Sequence, residues 1–223
     1  MSSTTPELII KHAIEKSWPV YNSKVNKLDS FNQKLSRGIL NSEGLAFCAL
    51  ADFFNSEMII ESGVCNAGST TIWGKYFSDI PIVGIDIDIT AQAAIRTCIY
   101  PNVVLLEGDG RKIIPQMIGE FSDKNISVFI DGPKNDAAIK LAQRCFEFDN
   151  VRMVGVHDIF RRLYGKETEV RKLFDSLGVH KFCTDEEWFV DEYSYMDVDN
   201  DGSKYIVPEK YGLYGPTIGF FLK

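Results

Sequence analysis

The chain has 223 residues, 45% of them apolar and 25% charged, a globular composition that excludes disorder, collagen and coiled coil. The net charge of −7 is local: residues 182–203 hold eight acids and no Lys or Arg, and taking those from the 31 acids leaves 23 against 24 basic residues, so no basic track for nucleic acid is expected. No window approaches the roughly 18–20 apolar residues of a membrane span, the opening MSSTTPELIIKHAIEK is too interrupted by charge for a signal-peptide core, and the five cysteines form no C-x-x-C pair, so a reducing, cytoplasmic setting is expected.

Two helices are predicted first, one opening at Thr5-Pro6-Glu7 and one over Ser42–Phe54, with Pro suited to a first helical turn. Residues 1–55 thus form a helical cap. Apolar, β-branched strands follow at Glu57–Glu61, Ile82–Asp86, Val103–Glu107, Ile126–Asp131 and Val151–His157. Stretches of helical length lie between them at Thr70–Phe77, Thr90–Thr97, Arg111–Ile118 and Asn135–Phe148, with Ser69 or Thr70, Thr90 and Asn135 as N-caps. Strands alternating with helices predict an α/β fold built on a parallel sheet covered on both faces. A helix over Lys166–Leu177, a strand at Val179–Cys183 and a last apolar run at Thr217–Leu222 complete a single domain. Residues 184–216 lack periodicity and are long for a connection, which suggests an acidic aromatic lid or insertion.

Four successive strands end in acids: Glu61, Asp86, the pair Glu107 and Asp109, and Asp131. Ligands of open α/β sheets bind at that edge. Glu61-Ser62-Gly63-Val64-Cys65-Asn66-Ala67-Gly68-Ser69 leads from a strand into a helix but lacks G-x-G-x-x-G, which disfavours a nicotinamide enzyme. Glu61 suits a cationic head better than a pyrophosphate. Asp86 stands 23 residues after Gly63, about where a ribose-binding acid follows such a turn.

These residues resemble the class I S-adenosylmethionine (SAM)-dependent methyltransferases, over about Glu57–His157 and again at the terminal strand. Glu61-Ser62-Gly63-Val64 followed by Ala67-Gly68-Ser69 is similar to an E-x-G-V-x-x-G-G-[ST] variant of the SAM turn, with Ala67 departing from Gly. Phe129-Ile130-Asp131-Gly132-Pro133-Lys134 resembles the fourth motif of small O-methyltransferases, and the nearest subgroups are macrocin O-methyltransferase-like and cephalosporin-hydroxylase-like modifiers of sugars and antibiotics. The resemblance implies a three-layer, doubly wound, mostly parallel seven-stranded sheet with the last strand inserted antiparallel. It also implies that Glu61 and Gly63 hold the methionine end of SAM, Asp86 the ribose and Asp109 the adenine neighbourhood, with Asn66, Ser69 and Gly110 in the cofactor-binding set. A cap for the helix at Arg111 is the other reading of Asp109.

A second resemblance, to metal-dependent catechol-type O-methyltransferases, pairs Asp131-x-x-Lys134 with His157-Asp158 and implies a magnesium or manganese ion on Asp131, Asp158 and His157. His157 in place of an acid departs from that pattern, because nitrogen suits magnesium less well. The implied activity is methyl transfer to a hydroxyl of a sugar, glycan or sugar-bearing small molecule. A catechol or phenol acceptor and a noncatalytic SAM-fold binding module are the alternatives, and oligomerisation is left open. His157 is the expected base, with Asp131 and Lys134 beside it, because an ordinary imidazole titrates near ~6.5; a structural core histidine is the other reading. Phe182, Trp188, Phe189, Tyr193 and Tyr195, with Tyr205, Tyr211 and Tyr214 beyond them, suit either a polyol acceptor or an aromatic mini-core. Asp197-x-Asp199-x-Asp201-Gly202 copies only half of an EF-hand loop, since Pro208 holds the twelfth position, and reads as a turn.

Overall fold

The computed structural model describes residues 6–25, 39–197 and 217–223. Helix α1 (Pro6–Lys24) packs on α2 (Asn41–Phe53) ahead of a Rossmann-like series. That series runs β1 (Met58–Ser62), α3 (Gly68–Tyr76), β2 (Ile82–Asp86), α4 (Ala91–Thr97), β3 (Val103–Glu107), α5 (Gly110–Glu120), β4 (Ile126–Ile130), α6 (Asp136–Phe146) and β5 (Val151–Val156). A short hairpin of β6 (Arg162–Leu163) and β7 (Lys166–Glu167), then α7 (Glu169–Ser176), β8 (His180–Cys183), α8 (Glu187–Tyr193), a 3-10 turn at Ser194–Met196 and β9 (Gly219–Leu222) follow. The seven-stranded sheet has the order β3-β2-β1-β4-β5-β9-β8. Strands β1 to β5 are parallel, while β9 runs antiparallel to both β5 and β8, as the resemblance implies.

Alternation along the strands separates two cores. Ile59, Phe129, Met153 and Phe220 face α1, α2 and α3, where Phe47, Trp73 and Phe129 meet at ring separations of 4.3–5.4 Å. Ile60, Val128, Val154 and Phe221 face α5, α6 and α7 with Ile114, Ile139 and Phe174. Every residue of β1 and β4 is buried, which explains their unbroken apolar runs, whereas edge strand β3 is only partly covered. The two N-terminal helices cover a sheet face.

Several boundaries differ from expectation. Strands β4 and β5 stop one residue early, so Asp131 and His157 sit just past their ends. Helix α3 is capped by Ala67 in the left-handed region (φ 58°), which places Ser69 and Thr70 inside it. Asn135 occupies the cap of α6 without a side-chain bond, while Thr90 caps α4 through the Ala93 amide at 3.0 Å. Lys166 and Glu167 belong to the hairpin, whose turn residues Tyr164 and Gly165 both have positive φ, and α7 starts only after its cap Thr168.

The described part of the expected lid or insertion, up to Asp197, matches the aromatic mini-core reading of its rings. Its first part is helix α8, with Phe182 and Phe189 each 1% exposed in the core and Trp188 and Tyr193 packed against it. Asp197 is buried too, and accepts from the amide and hydroxyl of Ser42 at 2.9 and 2.6 Å. These rings satisfy the apolar face of β8 and β9 and are not free for an acceptor; among them only Tyr195 is well exposed. Asp199, Asp201, Gly202, Tyr205, Pro208, Tyr211 and Tyr214 lie outside the described residues.

Candidate active site

Sharp turns bring the ends of β1 and β4 together. The Ser62 carbonyl accepts from the amides of Asp131 and Gly132 at 2.7 and 2.9 Å. Gly63 has φ +90°, and a Cβ there would lie 2.4 Å from the Gly132 nitrogen, so backbone fills the space a side chain would need. Gly110 is equally confined, because its Cβ would meet Ser62 Oγ at 2.4 Å. Together they leave a cleft of about 280 Å³ at the C-terminal edge of the sheet, lined by Ser62, Gly63, Ile85, Asp86, Ile87, Gly108, Asp109, Gly110, Arg111, Gly132 and Pro133.

The expected cofactor residues divide between wall and support. Asp86 is in the wall and accepts from the Cys65 amide at 2.8 Å, tying the turn after β1 to β2. Asp109 is both wall and cap: it accepts the Arg111 amide at 3.0 Å and pairs with the guanidinium at 2.8 and 2.9 Å, which holds its carboxyl below the usual range. Asn66 is exposed at the turn, and its carbonyl accepts from Arg96 at 2.6 Å. Glu61 lies behind the wall, 0% exposed, with one oxygen taken by the Ser69 hydroxyl. Burial pushes its pKa up to about 8 despite bonds from Ser69 and Thr70. Glu61 and Ser69 thus tie the end of β1 to the first turn of α3 beneath the cleft wall.

Gly132 and Pro133 carry the cleft wall onward to a charged cluster. Lys134 Nζ donates to both Asp131 and Asp158. His157 Nδ1 lies 2.7 Å from Asp131 Oδ1 and 3.5 Å from Asp158 Oδ1, and its Nε2 faces Glu43 Oε2 at 3.6 Å. Burial alone would favour neutral imidazole, yet the two acids Asp131 and Glu43 raise its pKa to about 10. Asp131 is lowered by His157 and Lys134 in spite of its burial, and Glu43 is raised by burial. Burial would lower Lys134, but Asp131 and Asp158 raise it on balance.

His157, the expected base, is buried with Nδ1 bonded to Asp131 and Nε2 facing Glu43, and these two acids favour its protonated form. Lys134 and Asp131, expected beside it, join it in one hydrogen-bonded cluster. Glu43 was missed in the sequence. Its signal is an acid in the third position of a helix that continues as Gly-Leu-Ala-Phe-Cys-Ala-Leu, where it also accepts from the Leu40 amide at 2.7 Å.

A divalent ion on Asp131, His157 and Asp158 fits the cluster poorly. One atom from each lies within 4.8 Å of the others, but a His ligand must offer a free ring nitrogen, and here Nδ1 is bonded to Asp131 while Nε2 faces Glu43. The remaining carboxylates are bridged by an ammonium. Three acids (Glu43, Asp131, Asp158) already face two side-chain cations.

No protein-family model matches the sequence, and no curated protein matches it. Solved structures do resemble its fold. Cofactor-bound Rv0187 from MTB superposes with a TM-score of 0.58 at 14% identity, over 99% of both chains. An O-methyltransferase from Bacillus cereus in complex with SAH gives 0.51 at 12% identity over 100% of this chain and 94% of that one. The SAH-bound Podospora anserina methyltransferase PaMTH1 gives 0.50 at 15% identity over 100% of both. With the strand order, the antiparallel β9 and the cleft beyond β1 and β2, these likenesses show that the chain has the fold of the class I SAM-dependent methyltransferases.

Proposed function

We propose that the protein is a SAM-dependent O-methyltransferase acting on a hydroxyl of a small molecule. The observation that carries this reading is the continuity of one wall: Gly63, Asp86 and Gly110 surround the cleft, and Gly132 and Pro133 lead from it to Lys134. Asp86 accepts ribose hydroxyls, while the bare glycine backbone admits the methionine portion. The sulfonium supplies the methyl group: its C–S bond breaks as the acceptor oxygen forms the new O–C bond, and S-adenosylhomocysteine leaves. Alignment can contribute about 7–11 kcal/mol in well-oriented cases, so the positioning of both reactants matters more than any single proton transfer.

At the acceptor, Lys134 is the group that can reach the hydroxyl, being about half exposed, while His157 is sealed behind Asp131. An ammonium beside a hydroxyl stabilises its anion and lowers its pKa, and Asp158 or solvent takes the proton. A cation acting without a neutral base suits a phenol, with an ordinary pKa of about 10, better than a less acidic sugar hydroxyl. The phenol acceptor therefore moves ahead of the sugar one, which also loses the support of Phe182 and Phe189 now that both are core residues. The sugar reading keeps the subgroup resemblance.

The test incubates the protein with methyl-labelled SAM and a panel of phenols, catechols and glycosides. Label in a phenolic product supports the first reading, and label only in a glycoside supports the second. SAM binding with no product from any acceptor points to a noncatalytic binding module.

A further inference from the structure

We propose that the Lys134 ammonium is the resident cation of the Asp131–Asp158 pair and that, with His157 in place of an acid, this site works without a metal. The inference concerns the same site as the proposed methyl transfer, but its test reads ion binding and does not depend on turnover.

Three observations support it. First, Lys134 Nζ bonds simultaneously to Asp131, which follows β4, and to Asp158, which follows β5. One ammonium thus neutralises carboxylates from two strand ends, the bridging task a divalent ion would perform with more ligands. Second, Nδ1 of His157, the ring nitrogen that faces Asp131 and Asp158, is already bonded to Asp131 at 2.7 Å. Its role is positioning: it fixes the Asp131 carboxylate from the buried side, so the other side faces Lys134. Third, His157 stands where the metal-dependent pattern carries an acid, so one of the three donors offered to an ion is nitrogen, which suits a magnesium-like ion less well than oxygen.

Lysine also explains the shape of the site. Its long apolar stem keeps the charge tethered at the cleft rim, where it remains half exposed and able to donate to an acceptor oxygen with its third proton. A bound ion would instead coordinate two acceptor oxygens at once, so a tethered ammonium suits an acceptor with a single reacting hydroxyl.

Manganese binding, followed by electron paramagnetic resonance and by the shift in melting temperature, tests the proposal on the intact chain. The wild type is expected to show no bound Mn²⁺ and no thermal shift at millimolar ion. Lys134→Met leaves two unneutralised carboxylates and should bind Mn²⁺ at least about tenfold more tightly than wild type, with a matching rise in melting temperature. Adding Asp158→Asn to that variant should remove the gain. Lys134→Gln, which keeps hydrogen bonds to both acids without the charge, is the companion should the methionine variant fold poorly, and it too should gain ion binding. Stoichiometric Mn²⁺ binding by the wild type, abolished by Asp158→Asn, would overturn the proposal. So would the absence of any gain in both Lys134 variants.

Discussion

His157 and Asp131 are joined at 2.7 Å through Nδ1 and Oδ1 at the centre of the charged cluster. With Glu43 on the other ring nitrogen, the ring lies between two carboxyl groups that favour its protonated form. Removing it leaves those acids facing each other with little solvent. His157→Ala is expected to destabilise the fold by about 3–5 kcal/mol, as breaking a buried pair does, and adding Glu43→Gln should recover part of the loss. Urea unfolding of the single and double variants measures both effects. A loss under about 0.5 kcal/mol, typical of a surface site, would contradict the assignment.

The same contact predicts a pH dependence. The pKa of His157 is raised in the folded state to about 10, so its stabilising contribution is complete below the unfolded value near ~6.5 and lost as pH rises through the folded one. The ring resonances of His157 should stay those of imidazolium past pH 8. Titration near 6.5 would show a neutral ring and return it to candidacy as a base.

Glu61 gives a second pH window. Its folded pKa is raised to about 8, so the folded state holds a proton that the unfolded chain releases near ~4.3. Stability from this group therefore falls as pH climbs between those values, by at most about 1.4 kcal/mol per pH unit. Glu61→Gln should flatten that part of the stability curve while leaving the His157 window in place. Melts of both proteins at pH 5, 6.5 and 8 separate the two groups.

Gly63→Ala tests the close approach of two strand ends. A methyl group 2.4 Å from the Gly132 nitrogen, at φ +90°, must push the β1 and β4 turns apart. Backbone strain alone costs about 1–3 kcal/mol, and the displaced wall should weaken SAM binding by more than tenfold in calorimetry. Gly165→Ala also meets a positive φ but open space, and should leave SAM affinity unchanged.

Much of this architecture is legible in the sequence because the central strands are buried on both faces. Ile82–Asp86 and Val103–Glu107 coincide with the observed strands to the residue, and Thr90 caps its helix as its hydroxyl allows. The Tyr164-Gly165 hairpin has strands of only two residues, too short for any period to register. Helix α8 is hidden because its acids mask a short apolar face, and Phe189 is recognisable as core only once β8 and β9 stand beside it. At the site, the strand-end acids are visible as a series, but their states are not. The charge of His157 depends on Glu43, which is 114 positions away in the chain and joins it only through the packing of α2 on the sheet.

Calorimetric titration of SAM into the purified chain, with Asp86→Ala alongside, tests the central claim most directly. The account predicts one SAM per chain and at least about a tenfold loss of affinity in the variant, the amount expected when a hydrogen bond from ligand to a charged group is removed. No heat of binding at millimolar SAM, or equal affinity in wild type and Asp86→Ala, would contradict it.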